Sequence, residues 1–131
     1  MTAKSSYSIL LVDDDNNNVT LLAEILGEKG YKMLTAENGK DAIKKAETIQ
    51  PDLILLDIAI PGMDGLDILK QLKHFDQTKH IPVILVTGVM PEVPVLNALK
   101  LNDVGYIAKP FIVEDLLKHI EQSILTSAKK I

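Results

Sequence analysis

Short apolar runs recur along the chain and alternate with segments in which apolar residues are spaced three or four positions apart. Three of the runs are continuously apolar, namely 9–12 (Ile-Leu-Leu-Val), 53–56 (Leu-Ile-Leu-Leu) and 83–86 (Val-Ile-Leu-Val). Runs of this length are typical of strands that are buried on both faces of a parallel sheet. The more mixed run 31–36 predicts an edge strand, and the short run 106–108 predicts a fifth strand.

Five further segments place apolar residues about one helical turn apart, as amphipathic helices do. Their apolar stripes are Val19, Leu22, Ala23 and Leu26; Ala42, Ile43, Ala46 and Ile49; Leu66, Leu69 and Leu72; Val95, Leu96 and Leu99; and Leu116, Leu117, Ile120 and Ile124. Gly30 and Pro51 are residue types that end helices, and they follow the first two stripes. We therefore predict five helices.

A strand followed by a helix, five times over and with short connections, predicts an α/β fold with a doubly wound five-stranded parallel sheet. The chain shows no linker, no low-complexity segment and no sign of a second domain. We expect the 131 residues to form a single domain, with its core over about residues 7–125 and a frayed tail over 126–131.

Composition excludes several classes of function. The chain has no cysteine, which excludes a disulfide scaffold, thiol catalysis and a cysteine zinc site. A formal net charge of -4 with little basic clustering argues against direct binding of nucleic acid. No apolar run approaches the roughly 20 residues that cross a bilayer, and residues 1–6 lack the apolar core of a signal peptide. We expect a cytoplasmic protein that does not contact membranes.

Polar residues interrupt the apolar pattern where the predicted strands end. Asp13 and Asp14 directly follow the first strand and Asp57 follows the third, whereas Thr87 and Lys109 end the fourth and fifth. The carboxyl ends of parallel strands form one edge of an open sheet, and ligands bind at that edge. We therefore expect these five side chains to form one site.

Three carboxylates in one site require a cation, because two like charges about 4 Å apart repel by roughly 4 kcal/mol at an effective dielectric constant of 20. One lysine cannot neutralise all three, whereas Mg²⁺ or Mn²⁺ would accept their oxygen atoms as ligands. A metal, the Lys109 ammonium and the Thr87 hydroxyl together would stabilise a phosphoryl group in transfer to a carboxylate nucleophile. Asp57 is the candidate nucleophile.

The motifs around these residues resemble the receiver domain of two-component response regulators, of the chemotaxis-regulator type. They cover 9–14 (ILLVDD), 51–65 (PDLILLDIAIPGMDG), 86–88 (VTG) and 106–111 (YIAKPF), and the resemblance extends over about residues 7–125. Four motifs in this order are far more specific than any one of them. The resemblance implies a flavodoxin-like sheet of strand order 2-1-3-4-5 and a cis peptide bond between Lys109 and Pro110.

The resemblance also implies a role for each matching residue. Asp57 would take a phosphoryl group from the phosphohistidine of a histidine kinase or a histidine phosphotransfer domain, and Thr87 and Lys109 would bind the phosphoryl oxygens. The implied metal set for Mg²⁺ or Mn²⁺ is Asp13 through a water molecule, Asp14, Asp57 and the backbone carbonyl of Ala59.

A signalling switch, rather than an enzyme with an external product, is the activity that the resemblance implies. Such a domain catalyses only its own phosphorylation and dephosphorylation. Thr87 and Tyr106 would move on phosphorylation and change how a downstream protein binds the face made by the fourth predicted helix, the fifth strand and the fifth helix. The start at Met1 and the polar C-terminal residues favour a stand-alone regulator over a piece of a longer one.

Three alternative functions fit less well. A flavodoxin-like carrier needs a phosphate-binding loop rich in Ser, Thr and Gly after the first strand, where this chain has three Asp and three Asn at 13–18. A haloacid dehalogenase-like phosphatase has a second Asp two residues after its nucleophile, where this chain has Ala59. A scaffold that has lost its phosphorylation site would not retain the complete set of Asp, Thr and Lys.

Other polar residues are predicted to have structural roles. Asp15 is expected to cap a helix or lie in a loop, because the family motif uses only the two preceding aspartates. Three histidines without ligand spacing are expected at the surface: His74, His80 and His119. The Lys44–Lys45 pair is expected to be solvated. The fourth helix is expected to start near Pro91–Pro94 or to have a distorted first turn, because proline lacks the N–H that a helix interior needs.

Overall fold

The computed structural model describes residues 7–13, 15–57, 65–87 and 104–128. Its strands are β1 (Ser8–Val12), β2 (Lys32–Ala36), β3 (Leu53–Asp57), β4 (Val83–Thr87) and β5 (Val104–Ala108). Its helices are α1 (Asn16–Glu28), α2 (Gly39–Ile49), α3 (Gly65–His74) and α4 (Val113–Ala128). These four correspond to the first, second, third and fifth predicted helices. The helix predicted around Val95–Leu99, with its two prolines, lies outside the described residues.

The sheet is parallel throughout, with the order β2-β1-β3-β4-β5, as predicted. Its register aligns the carboxyl ends of the strands. Val12 pairs with both Ala36 and Leu56, and Thr87 pairs with Ala108. The residues that directly follow these positions therefore lie along one edge, which we call the carboxyl edge of the sheet.

Two apolar cores lie on opposite faces of the sheet, because successive strand residues point to opposite sides. Leu10, Val12, Ile54 and Leu56 pack under α2 and α3. Ile9, Leu11, Leu53 and Leu55 pack under α1 and α4. This double burial is the reason that the central strands read as continuous apolar runs, and it confirms that interpretation.

Helix ends agree with the sequence for α1 and less well for α2 and α4. Gly30 has φ 102°, and α1 closes with bonds from the Gly30 N–H to the Gly27 carbonyl and from the Tyr31 N–H to the Leu26 carbonyl. Ile49, predicted to lie in the apolar stripe of α2, is 44% exposed because α2 ends at this residue and the chain turns away. The predicted frayed tail is wrong up to residue 128, since α4 continues to Ala128.

Side chains close the opposite, amino edge of the sheet by bonding to backbone groups. Gln50 adopts the left-handed conformation (φ 56°), and its amide Nε2 donates to the Gln77 carbonyl at 2.7 Å. The fully buried Thr78 donates its hydroxyl to the Leu72 carbonyl at 2.6 Å. These bonds hold the loop between α3 and β4 against the end of α2.

The outer edge of β2 is protected by a lysine. Lys45 on α2 donates its Nζ to the Thr35 carbonyl at 2.5 Å and pairs with the Asp41 carboxylate at 3.2 Å. Because β2 is the terminal strand of the sheet, this carbonyl has no neighbouring strand to bond. The expectation that Lys45 is merely solvated is therefore wrong.

In the described part of the chain, no helix is long and apolar enough to span a membrane.

Candidate functional site

Three of the predicted site residues meet on one side of the carboxyl edge: Asp13, Asp57 and Lys109. Each lies two positions after a residue of the core under α1 and α4, namely Leu11, Leu55 and Ile107. The two-residue period of an extended chain directs all three side chains towards that same face. The same apolar pattern that builds the core thus also positions the polar groups.

Asp57 and Lys109 form an ion pair across the end of β4. The Lys109 Nζ donates to Asp57 Oδ2 at 2.7 Å, although β4 separates the two strands that carry these residues. The Asp57 side chain is only 9% exposed, whereas that of Lys109 is 33% exposed. A buried carboxylate needs a partner, and the lysine supplies one while its own head remains in contact with water.

Asp13 is the second buried carboxylate of the site, with 4% exposure. Its Oδ1 accepts a hydrogen bond from the Asp15 backbone N–H at 3.0 Å, and its own backbone N–H donates to the Ala36 carbonyl at 3.1 Å. The first bond orients the carboxylate, and the second anchors the residue to the end of β2. Asp13 is therefore held in place by backbone groups on two sides.

Asp15 caps α1, which confirms its predicted structural role. Its side chain accepts a hydrogen bond from the Asn17 N–H at 3.0 Å, and its carbonyl accepts one from the Val19 N–H. These two bonds are the pattern of a helix N-cap. Two aspartates of the acidic run after β1 therefore have different roles: Asp13 belongs to the candidate site, and Asp15 caps the helix.

The donor set at the site suits a hard divalent cation. Asp13 and Asp57 are buried carboxylates at the ends of neighbouring strands, and Mg²⁺ in proteins typically takes one or two carboxylates with water and phosphate oxygens. Among the described residues, no group of three or more acidic or histidine side chains is placed to hold a metal. Two further members of the predicted metal set, Asp14 and Ala59, lie outside the described residues, so that set stays a prediction.

The remaining predicted site residues are described only in part. Thr87 ends β4, but the position of its side chain is not among the described features. Tyr106 lies half-buried in β5, opposite Leu85, and its role as a switch stays a prediction. The cis peptide bond between Lys109 and Pro110 is confirmed. His74, His80 and His119 are exposed, as predicted.

An apolar cleft beside Asp57 was not predicted from the sequence. Its volume is about 560 Å³, and it lies between α1 and the segment that joins β5 to α4. Among the residues that the structure describes, the side chains that line it are all apolar apart from Asp13, Asp57 and Lys109. A signal for it was present, because Leu21 and Ile25 are spaced i, i+4 on α1 outside the predicted core stripe. Leu21 is 56% exposed at the rim.

Comparison with known proteins identifies the family. The chain matches the response regulator receiver domain over residues 9–121. It is 42% identical over 103 residues to the alkaline phosphatase synthesis transcriptional regulatory protein PhoP of Bacillus subtilis, covering 79% of this chain and 42% of that protein. It is 37% identical over 108 residues to sporulation initiation phosphotransferase F of the same organism, covering 82% of this chain and 86% of the relative.

Solved structures show the same fold. A CheY-like response regulator receiver domain protein from Methanospirillum hungatei superposes with a TM-score of 0.85 at 27% identity, covering 95% of this chain and 98% of that one. The chain spans 42% of PhoP and 27% of the response regulator PleD of Caulobacter vibrioides, so these relatives are much longer. The family match, the sheet order and the partly buried Asp57–Lys109 pair agree, and the chain belongs to the response regulator receiver domain family.

Proposed function

We propose that Asp57 accepts a phosphoryl group from the phosphohistidine of a histidine kinase or a histidine phosphotransfer domain, and that this modification switches contacts with other proteins. The observation that carries the proposal is the 2.7 Å bond between Asp57 Oδ2 and Lys109 Nζ at the carboxyl edge of a family-typical sheet. A cytoplasmic location stays a prediction from the sequence.

The side chains present can support the transfer. The Asp57 carboxylate would form the new bond to phosphorus as the bond from phosphorus to the donor's imidazole nitrogen breaks. The Lys109 ammonium lies within hydrogen-bond distance of the nucleophile, where it would neutralise charge on the phosphoryl oxygens. The Thr87 hydroxyl is proposed to bind another of these oxygens, since β4 ends at this residue.

A divalent metal fits this mechanism through the donor atoms of the site. Asp57 would hold it directly and Asp13 through a water molecule, with Asp14 and the backbone carbonyl of Ala59 as the further ligands proposed from the family. The metal would supply charge neutralisation for the equatorial oxygens of the transferring group. Mg²⁺ is the expected ion, and Mn²⁺ would be expected to replace it, because both prefer oxygen ligands.

The names of the relatives support a role in signalling. One protein that this chain resembles over most of its length is called a phosphotransferase, and another is called a transcriptional regulatory protein but is more than twice as long as the matched region. For this chain we propose protein contact as the output. The proposed surface comprises β5, α4 and the segment around Val95–Leu99, with Thr87 and Tyr106 as the switch residues.

Labelling with a small phosphodonor tests the proposal. With acetyl phosphate and Mg²⁺, intact-mass spectrometry should show one phosphoryl group per chain, and EDTA should prevent its addition. Asp57→Asn should abolish the labelling, whereas Asp67→Asn, which changes an exposed aspartate on α3, should preserve it. Labelling that persists in Asp57→Asn would overturn the assignment. Pull-down with and without beryllofluoride then identifies the proteins whose binding the switch controls.

A further inference from the structure

We propose that the apolar cleft beside Asp57 binds the hydrocarbon chain of an acyl phosphate, so that butyryl and hexanoyl phosphate donate to Asp57 faster than acetyl phosphate does. The inference rests on the proposed function of Asp57 and adds a preference among small-molecule donors. It is carried by the position, lining and charge of the cleft.

The cleft has an apolar floor that is continuous with the reactive carboxylate. Leu11, Leu55 and Val86, which form part of the core under α1 and α4, line its inner surface, and Asp57 lines the same cavity. A volume of about 560 Å³ lies within the range of small-molecule sites. A short alkyl chain whose polar end lies at Asp57 therefore has an apolar surface within reach.

The walls of the cleft leave it accessible from solvent. Leu21 and Ile25 come from α1, and Phe111 and Val113 come from the start of the α4 region. Leu21 is 56% exposed, while Phe111 is half-buried, so the described part of the rim is apolar and partly exposed to solvent. Each methylene of a bound chain that leaves water strengthens binding roughly fourfold.

The charged residues that line the cleft select the head group of the ligand. Asp13 and Asp57 carry two negative charges against the single positive charge of Lys109, so an anionic ligand would bind there only with a divalent cation, which favours a doubly charged phosphate over the singly charged carboxylate of a fatty acid. Two carboxylates would attract a divalent cation, and a phosphate can share that cation as a ligand, as phosphates commonly do in Mg²⁺ sites. A ligand in which an apolar chain is joined to a phosphate therefore matches both the apolar lining and the charged residues of the cleft.

The transfer is balanced without an acid. An oxygen of the Asp57 carboxylate forms a bond to phosphorus, and the bond from phosphorus to the acyl oxygen breaks. The leaving group departs as a carboxylate with the electron pair of that bond, and it needs no proton. The reactant and the aspartyl phosphate product are both mixed anhydrides of a carboxylic and a phosphoric acid, so no further energy source is required.

Initial rates of labelling with the three acyl phosphates, at equal subsaturating concentration and in Mg²⁺, test the preference. The butyryl donor should label Asp57 at least about fivefold faster than the acetyl donor, and the hexanoyl donor faster still, since each added methylene leaves water. Leu21→Gln should lower the hexanoyl-to-acetyl ratio towards one. Leu125→Gln is the matched control, because Leu125 is a similarly exposed leucine on α4 that does not line the cleft, and it should leave the ratio unchanged.

Binding without reaction provides a second measurement. Hexylphosphonate in Mg²⁺ should shift the methyl NMR signals of Leu21 and Ile25 at concentrations where methylphosphonate and hexanoate do not. Equal labelling rates for all three donors would overturn the inference while leaving the proposed function intact. If no donor labels Asp57, the proposed function fails, and the phosphonate titration still decides whether the cleft recognises the chain. Shifts of equal size with hexanoate would also overturn the inference, because they would show no selection for phosphate.

Discussion

Lys109 reaches past the end of β4 to donate a 2.7 Å hydrogen bond to Asp57. One ion pair therefore joins the ends of β3 and β5, which are not neighbours in the sheet. The pair combines a nearly buried carboxylate with a partly exposed ammonium. Removal of the lysine leaves a buried charge without this partner, which is a larger cost than the ion pair itself is worth.

Lys109→Met should therefore lower the free energy of unfolding by about 1–2 kcal/mol in metal-free buffer, measured by urea denaturation. The loss should shrink when Asp57→Asn is added, because the asparagine carries no charge that needs neutralising. Lys79→Met is the control, since Lys79 and Asp76 form an exposed pair on the surface, and it should have no measurable effect. If the loss of unfolding free energy in the double variant equals the sum of the losses in the two single variants, the proposed coupling between Lys109 and Asp57 is contradicted.

Thr78 provides a second prediction. Thr78→Val keeps the shape of the side chain but leaves the buried Leu72 carbonyl without the hydroxyl donor. We expect a loss of about 1–2 kcal/mol in the free energy of unfolding. Thr48→Val removes a similar bond, from a hydroxyl to the Lys44 carbonyl, at an exposed position on α2, and it should change stability by less than about 0.5 kcal/mol. Equal effects would show that burial is not the cause.

Two glycines at the end of α1 should respond to alanine in opposite directions. Gly27 lies within the helix, and a Cβ there would meet no atom within 4 Å, so Gly27→Ala should stabilise the protein by about 0.5 kcal/mol. Gly30 has φ 102°, so Gly30→Ala should destabilise it by about 1 kcal/mol or more. Thermal melts of the two variants measure the difference, and a shift of both in the same direction would contradict the assigned conformations.

Substitutions of Asp15 test whether this residue caps α1 or belongs to the candidate site. Asp15→Ala should cost about 1 kcal/mol of stability through loss of the helix cap, and Asp15→Ser should restore most of it. Both variants should still be labelled by acetyl phosphate, since Asp15 is assigned to the helix end. A folded Asp15→Ser variant that cannot be labelled would place this residue in the site.

The central strands and their order could be predicted because burial on both faces leaves a continuous apolar signature. The meeting of Asp13, Asp57 and Lys109 could be predicted as well, since each lies at the carboxyl end of a strand whose direction is known. The bond between Lys109 and Asp57, across an intervening strand, depends on strand spacing and on the length of a lysine side chain. The exposed end of α2 at Ile49 and the apolar cleft depend on how separate helices pack, which the spacing along one helix does not report.

The Lys45–Thr35 bond bears on how this protein behaves at high concentration. An edge strand with unsatisfied carbonyls is a template on which another chain can add a strand, and charged side chains at the edge oppose that addition. Lys45 occupies such a carbonyl on β2 and places an ammonium group beside it. The effect of a substitution at Lys45 should therefore be measured as a change in solubility and aggregation rate as well as in folding free energy. Even a substitution that changes the folding free energy little would be expected to promote association between molecules.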